Sequence, residues 1–184
     1  MPTQNRKMSQ RAHRRRGAEM LEFTLTLLPM LAMIFVLLDV SWGVFVKSTL
    51  QYAVRAGVRR GITITGTQAT AGGACLTEIV KGVVQTNSLG LLRGTTGLAA
   101  IKVNYLKPPP PGSTAAATDV STQANGNQPL NIMQVSVQNF ALAALAPRVF
   151  SWREAPDKAS TIINAASADL IEPSRDVPCI GVAP

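Results

Sequence analysis

From Phe23 to Val46 the chain is almost continuously apolar, and Asp39 is the only charged residue in that run of 24. As an α-helix the run would be about 36 Å long at ~1.5 Å per residue. A bilayer core needs about 20 such residues, so the run can cross a membrane. Pro29 falls early within it. A proline is tolerable there, because membrane helices satisfy the freed carbonyl locally.

The charge is arranged around this run. The net charge is +8 over 184 residues. Residues 1–17 hold six bases (Arg6, Lys7, Arg11, Arg14, Arg15, Arg16) and no acid, and residues 18–46 hold only the acids Glu19, Glu22 and Asp39. A further twelve bases and seven acids follow, so 6 − 3 + 5 gives the total of +8. Bases before a membrane span place the amino terminus in the cytoplasm and the remainder outside it. A basic chain also raises nucleic acid as a partner. Here the basic run abuts an apolar span and has no aromatic residues on which bases could stack. The partner expected on that side is the cytoplasmic surface of a membrane, and nucleic acid is not expected.

The helical pattern continues beyond the apolar run. Leu50, Ala53, Val54, Gly57 and Val58 recur at helical spacing, while Arg55, Arg59 and Arg60 remain polar. Gly61 is a plausible stop. One helix over residues 19–60 would be half anchor and half amphipathic stem. The stretch Gly61–Gly73, rich in Gly and Thr, reads as a loop. A second helix follows, with Leu76, Ile79, Val80, Val83 and Val84 on one stripe.

Two strand-like runs come next. Ile101, Val103 and Tyr105 alternate with Lys102 and Asn104; Met133, Val135 and Val137 alternate with Gln134, Ser136 and Gln138. Between them lie Pro108–Pro111 and a tract of small and polar residues, together read as a flexible connection over 107–129. Phe140–Phe150 is apolar and broken at Pro147, and Thr161–Glu172 fits helix or strand by pattern alone. Pro173 and Pro178 end any regular element. The fold class is α+β: a long N-terminal transmembrane and stem helix, then a small extracytoplasmic domain with a second helix and a short antiparallel sheet. The expected divisions are a basic cytoplasmic leader at 1–17, span and stem at 18–60, and a periplasmic domain at 61–184.

Cys75 and Cys179 both follow the apolar run. In an oxidising compartment a disulfide between them is the default, tying the second helix to the C-terminal segment. The other reading is a reactive thiol, but the only histidine is His13 in the leader, so no Cys–His nucleophile can form outside it. No GxxxxGK[ST], HExxH or GxSxG motif and no metal-ligand cluster is present. The acids Glu78, Asp119, Glu154, Asp157, Asp169, Glu172 and Asp176 suggest no catalytic pair. We therefore expect no enzyme activity, cofactor, metal or small-molecule substrate. Trp42 reads as an interfacial anchor and Trp152 as packing. Asp39 either pairs with a partner helix or meets lipid headgroups, and an acid at mid-bilayer costs about 2.5–3.5 kcal/mol on insertion scales.

The stretch Arg14-Arg15-Arg16-Gly17-Ala18-Glu19-Met20-Leu21-Glu22-Phe23 has a grammar of its own. A basic leader ends in Gly, Glu22 is the fifth residue after it, and the apolar run starts at once. An ordinary secretory signal is cut after its apolar region. This arrangement instead resembles the cleavage site of type IV prepilins, which are cut by a prepilin peptidase on the cytoplasmic side. By that resemblance the cut falls between Gly17 and Ala18. The matching glutamate of pilins is thought to pair with a neighbouring subunit's free amino terminus, a role the resemblance carries onto Glu22.

Arg15–Arg60 resembles the TadE-like (TadE/TadF) family, minor pseudopilins of tight-adherence (Flp) type IV pilus systems. The shared parts are Arg16-Gly17, Glu22-Phe23, Leu27-Leu28-Pro29, Asp39 with Gly43, and Ala53-Val54-Arg55-Ala56-Gly57-Val58-Arg59. Gln134–Phe140 with Leu145-Ala146-Pro147 resembles the family's later strand and turn, and Leu170-Ile171-Glu172 its closing segment. Two departures are Ala18 after the cut and Phe23 where Tyr is frequent. The resemblance implies a non-catalytic component of pilus biogenesis, adhesion and secretion in a bacterial inner membrane. Its partners would be the prepilin peptidase, other pilins and pseudopilins, and the pilus assembly platform. The alternatives are an uncut single-pass periplasmic adaptor of a secretion system and an anchored enzyme.

Overall fold

A computed structural model of the chain describes residues 4–68, 74–123, 126–143, 160–173 and 179–180, with the backbone alone at 4–19, 143 and 160. Two compact units result. One holds residues 1–42 and 144–159, the other Gly43–Ala143 and Ser160–Pro184.

Helix α1 runs from Gln4 to Thr63. It starts well before the apolar run, so the basic stretch ahead of that run is helical backbone from Gln4 onward. That stretch is built largely of Arg, Lys, Gln, Met and Ala, which are good helix formers. No proline interrupts α1 before Pro29. From Met20 to Trp42 the helix is largely apolar and carries its large side chains on the outside: Met20 is 74% exposed and Leu28 72%.

From Gly43 onward α1 becomes one-sided. Val46, Leu50, Ala53, Val54, Val58 and Ile62 are buried, while Ser48, Gln51, Tyr52, Arg55 and Arg59 stay exposed. This is the amphipathic stripe expected of a helix lying on a core. The stop expected at Gly61 does not occur there. A Cβ on Gly61 would collide with Met133 Sδ and come within 2.8 Å of Val80 Cγ2, and a Cβ on Gly57 would collide with Val84 Cγ2. These glycines admit neighbours to the helix backbone instead of ending it.

The neighbours come from α2 (Leu76–Asn87) and the sheet. In α2 the buried residues are Leu76, Thr77, Val80 and Val84, with Ile79 and Val83 half-buried. A short helix α3 (Gly94–Ala99) leads into strand β1 (Ile101–Lys107). The remaining strands are β2 (Thr118–Asp119), β3 (Ile132–Ala143) and β4 (Ser160–Leu170). All pair antiparallel in the order β2-β1-β3-β4. Thr161–Glu172, open between helix and strand by pattern, is thus mostly strand. The architecture is α+β, with a long apolar helix followed by a small domain carrying a helix and a four-stranded antiparallel sheet.

The sheet's inner face carries Ile101, Val103, Tyr105, Met133, Val135, Val137, Ile163 and Ala165, which join the buried side of α1 and α2 in one core. Its outer face carries the alternate residues, as the period of two requires. The Pro-rich connection is more ordered than its composition implied. Pro108–Pro110 has no regular structure, but Thr118 and Asp119 pair with Lys107 and Leu106, and Val120, Ser121 and Asn127 are buried. Residues 144–150, with the Leu145-Ala146-Pro147 turn, Trp152, Glu154, Asp157, Asp176 and Pro178 lie outside the described residues.

The Gly57–Gly61 seam has a direct consequence. Gly61→Leu should lower the stability of the detergent-extracted chain by about 1–3 kcal/mol, because extra methylenes must displace Met133 and Val80. Thermal unfolding beside Arg55→Leu, on the exposed side of α1, checks this; equal melting temperatures for the two variants would contradict the seam.

Candidate functional site

The residues singled out in the sequence fall into two places. Gly17, Ala18, Glu22, Phe23 and Asp39 all lie on α1. Glu22 and Phe23 are exposed, Phe23 by 63%, and Asp39 is half-buried. Glu22 and Asp39 are about 25 Å apart along the axis at ~1.5 Å per residue, so the helix does not bring them together. The hydroxyl of Thr26 donates to the carbonyls of Glu22 (3.1 Å) and Phe23 (3.0 Å), and that of Thr24 to Met20 (3.1 Å) and Leu21 (2.9 Å). Hydroxyls bonded back to their own helix in this way can enter hydrocarbon without an unmatched donor. The helix from Met20 to Thr63 is long and apolar enough to cross a membrane, and its most apolar window is not buried in the chain at all.

The second place is the amino end of α2. Cys75 and Cys179 form a disulfide, with Cα atoms 5.0 Å apart. The link does more than close a loop. The first backbone N–H groups of a helix have no partner within it. Here Leu76 N–H donates to the Cys179 carbonyl (2.7 Å) and Thr77 N–H to the Ile180 carbonyl (2.8 Å). Glu78 accepts from Cys75 N–H (3.3 Å), an acid in the first turn where the helix dipole favours one. Ile180 packs against the core, and the Thr77 hydroxyl meets the buried Tyr105 hydroxyl at 3.4 Å. The C-terminal segment is therefore the cap of α2.

Two further features were not visible in the sequence. The first secures the short edge strand. Ser121 Oγ accepts from the buried Tyr105 N–H (2.8 Å) and donates to the Asp119 carboxylate, which also accepts from Ser121 N–H (2.9 Å). These bonds from Ser121 hold the Asp119 carboxyl below the ordinary carboxylate range. Lys81 on α2 is shifted down for a different reason, chiefly lost hydration and then the charge of Lys102, against a pull from Glu78.

The second is on the sheet's outer face. A bulge between Val137 and Phe140 in β3 breaks the alternation, and Asn139 sits there at φ 56°. Its N–H donates to Asn164 Oδ1 (2.9 Å). Asn104, Gln134, Ser136, Gln138, Asn139 and Asn164 line a hollow of about 370 Å³. It is neutral and rich in amides. The alternation of Gln134, Ser136 and Gln138 could be read from the sequence; their meeting with Asn104 and Asn164 depends on the strand order. Among the described residues, no group of three or more His, Cys, Asp or Glu side chains is placed to hold a metal.

Against known families, one stretch stands out. The model of the TadE-like protein family matches residues 17–59. That is 43 of 184 residues, from Gly17 to Arg59. The match suggests a component associated with a Tad pilus. No curated protein and no solved structure matches the chain.

Two tests address the disulfide cap and the Ser121 cluster. Cys179→Ser should destabilise the domain by about 2–5 kcal/mol, since it opens a long loop and releases the cap; denaturant titration of the oxidised wild type beside the variant reads this, and coincident curves would refute it. Ser121→Ala should cost about 1–3 kcal/mol by orphaning Tyr105 N–H. Because the folded Asp119 pKa is depressed, its contribution is full above the unfolded value and is lost as the pH falls through the folded one. Ser121→Ala should therefore flatten the acid limb of stability, and an unchanged limb would remove Ser121 as the cause.

Proposed function

We propose that the chain is a TadE-like minor pseudopilin, a non-catalytic part of a Tad/Flp-type pilus. In this reading it enters the inner membrane with residues 1–17 in the cytoplasm. A prepilin peptidase removes that leader between Gly17 and Ala18. The helix from Ala18 to about Val46 keeps the product in the bilayer, and the α+β unit projects into the periplasm. Lateral contacts then join it to pilins, other pseudopilins and the assembly platform.

What carries the proposal is the coincidence of the family match with the signal: the matched segment opens on Gly17 and includes Glu22, Phe23 and the whole apolar run. The physical logic agrees with it. An apolar helix whose large side chains face outward has to be covered by lipid or by other helices. Glu22 lies at the edge of that run, where a carboxylate is costly unless paired. A new α-amino group at Ala18 would be a cation only four residues away. In a row of subunits it would be available to a neighbour's Glu22. Asp39 would serve as a second polar contact within the helix layer.

One observation favours a second reading, an uncut anchor serving as a periplasmic adaptor. Helix α1 passes through Gly17 without a break, whereas a protease takes its substrate extended. Glycine is the residue in the region that yields most readily to such a change, because it weakens a helix by about 1 kcal/mol relative to Ala.

N-terminal sequencing of the membrane-extracted chain, made in a host with an active prepilin peptidase, separates the two. We expect a mature chain starting at Ala18 and a Gly17→Val variant that keeps all of residues 1–17. A wild-type chain that retains its leader would overturn the pseudopilin reading and favour the uncut anchor.

A further inference from the structure

The outer face of the sheet, which carries Asp119 and Lys102, and the exposed side of the α1 stem, which carries Arg55 and Arg59, both belong to the unit built from Gly43 onward. The stem's exposed stripe contains Tyr52, Arg55 and Arg59, with no acid between Lys47 and Thr63. Tyr52 is 63% exposed, a large ring held out on a rigid helix. The sheet's outer face has no second layer among the described residues. Along it lie the row Asp119–Leu106–Ile132–Leu170 and then Asn104–Gln134–Ala168, each set by the strand register. Beyond these is the amide-lined hollow at the bulge.

Heights along the stem decide whether two copies could bring these features together. Within one copy, a Cβ on Gly43 would lie 3.7 Å from Leu142 Cδ2, and one on Gly61 would strike Met133. Strand β3 therefore runs alongside the stem in the opposite direction. Between those two contacts the helix rises about 27 Å at ~1.5 Å per residue, and nine strand residues span about 30 Å at ~3.4 Å each. Tyr52 lies halfway, level with Val137, which is the level of the hollow. Arg59 lies about 3 Å below Gly61 along the axis, level with Gln134 and within a side chain's reach of the Asp119 row. Copies anchored by the same apolar segment have the same residues at the same height. Placed side by side with parallel stems, they bring Tyr52 of one to the level of the hollow of the next without any axial slip.

We propose that a second copy of this chain docks its stem on the outer sheet face, with Tyr52 entering the hollow lined by Asn104, Gln134, Ser136, Gln138 and Asn164, and Arg59 meeting Asp119. The hollow suits a phenol. Its rim of amides and a hydroxyl can bond the phenol oxygen, the exposed Ala166 meets the ring, and no charged side chain lines it. The Arg59 to Asp119 pair is exposed, so it sets register more than strength. The contact joins two different patches. Each copy therefore keeps one unused donor face and one unused acceptor face, and the association extends as a row instead of closing as a dimer. The inference rests on anchoring in a common membrane and not on removal of the leader, so the sequencing result above and the result below can fail separately.

The test places the photoreactive residue p-benzoylphenylalanine at Tyr52 in the full chain, in its membrane. Irradiation should give a ladder of dimer and higher species, with the adduct mapped by mass spectrometry to the peptide carrying Gln134–Asn139 or that carrying Asn164. Arg59→Glu and Asp119→Arg should each lower the yield by about fivefold, and the two together should restore most of it. The mass of the intact Cys75–Cys179 disulfide confirms that each variant has folded. Adducts confined to α1 of another copy, to lipid or to a different protein would overturn the proposal. So would a closed dimer with no higher species, or a double variant no better than the single ones.

Discussion

The α+β unit of this molecule depends on how closely other elements approach the backbone of α1. At Gly57 and Gly61 the missing Cβ atoms let Val80, Val84 and Met133 sit where side chains would otherwise stand. Ala53 extends the same line one turn earlier and is fully buried. Three small residues spaced by four give a smooth seam, and α2 and β3 both settle into it. Larger residues there would lift α2 and the sheet off the helix and open the core that now contains Tyr105, Leu50 and Ile101. The stem is thus the central element of the domain's core and not simply a spacer between membrane and domain.

The same helix has two side-chain patterns, and the change between them falls near Val46. Up to about Phe45 its large apolar side chains face outward on every side. From Val46 onward they face one side only, and arginines occupy the other. Nothing in backbone geometry marks the change; it is written in side-chain chemistry alone. Bilayer interiors accept apolar residues all round, whereas a water-exposed stem is stable only if its apolar stripe finds a core.

That is why the helices and the central strand pair could be read from the sequence. The stripe of the stem, the stripe Leu76–Val84 and the alternations at Ile101–Tyr105 and Met133–Val137 are periodic signals, and periodicity follows from which side meets the core. What the sequence concealed has a different origin. Gly61 looked like a stop because glycine's usual role at a helix end is conformational, while here it is spatial and depends on Met133, far away in the chain. Thr118–Asp119 was hidden inside a tract of low-complexity composition. It is held by single hydrogen bonds, from Val120 N–H to the Tyr105 carbonyl (2.8 Å) and through Ser121, which leave no periodic trace. Thr161–Glu172 was ambiguous because Ala, Ser and Asn serve either element; the pairing of Ile132 with Leu170 through Ala143 with Ser160 decides it. The amide hollow is formed from three strands and a bulge, so no single segment announces it.

The sheet's two edges are treated unequally, and the asymmetry bears on assembly. Beside β1, the two-residue β2 ends in Asp119, whose charge is kept by Ser121, a common way to blunt an edge. At the other side, β4 presents eleven residues with no lysine, arginine or proline and only Asp169 near its end. An edge so lightly guarded is a hazard for a free protein in solution, where any extended chain could add to it. It is a smaller hazard for a protein confined by its anchor to one orientation and one height. Lateral neighbours then arrive with their strands parallel to the stem and in fixed register, and random encounters from solution are the exception. Under the proposed anchoring, selection against a sheet face and a β4 edge that have no covering layer or strand among the described residues would be relaxed, leaving both for contacts between molecules that share the plane.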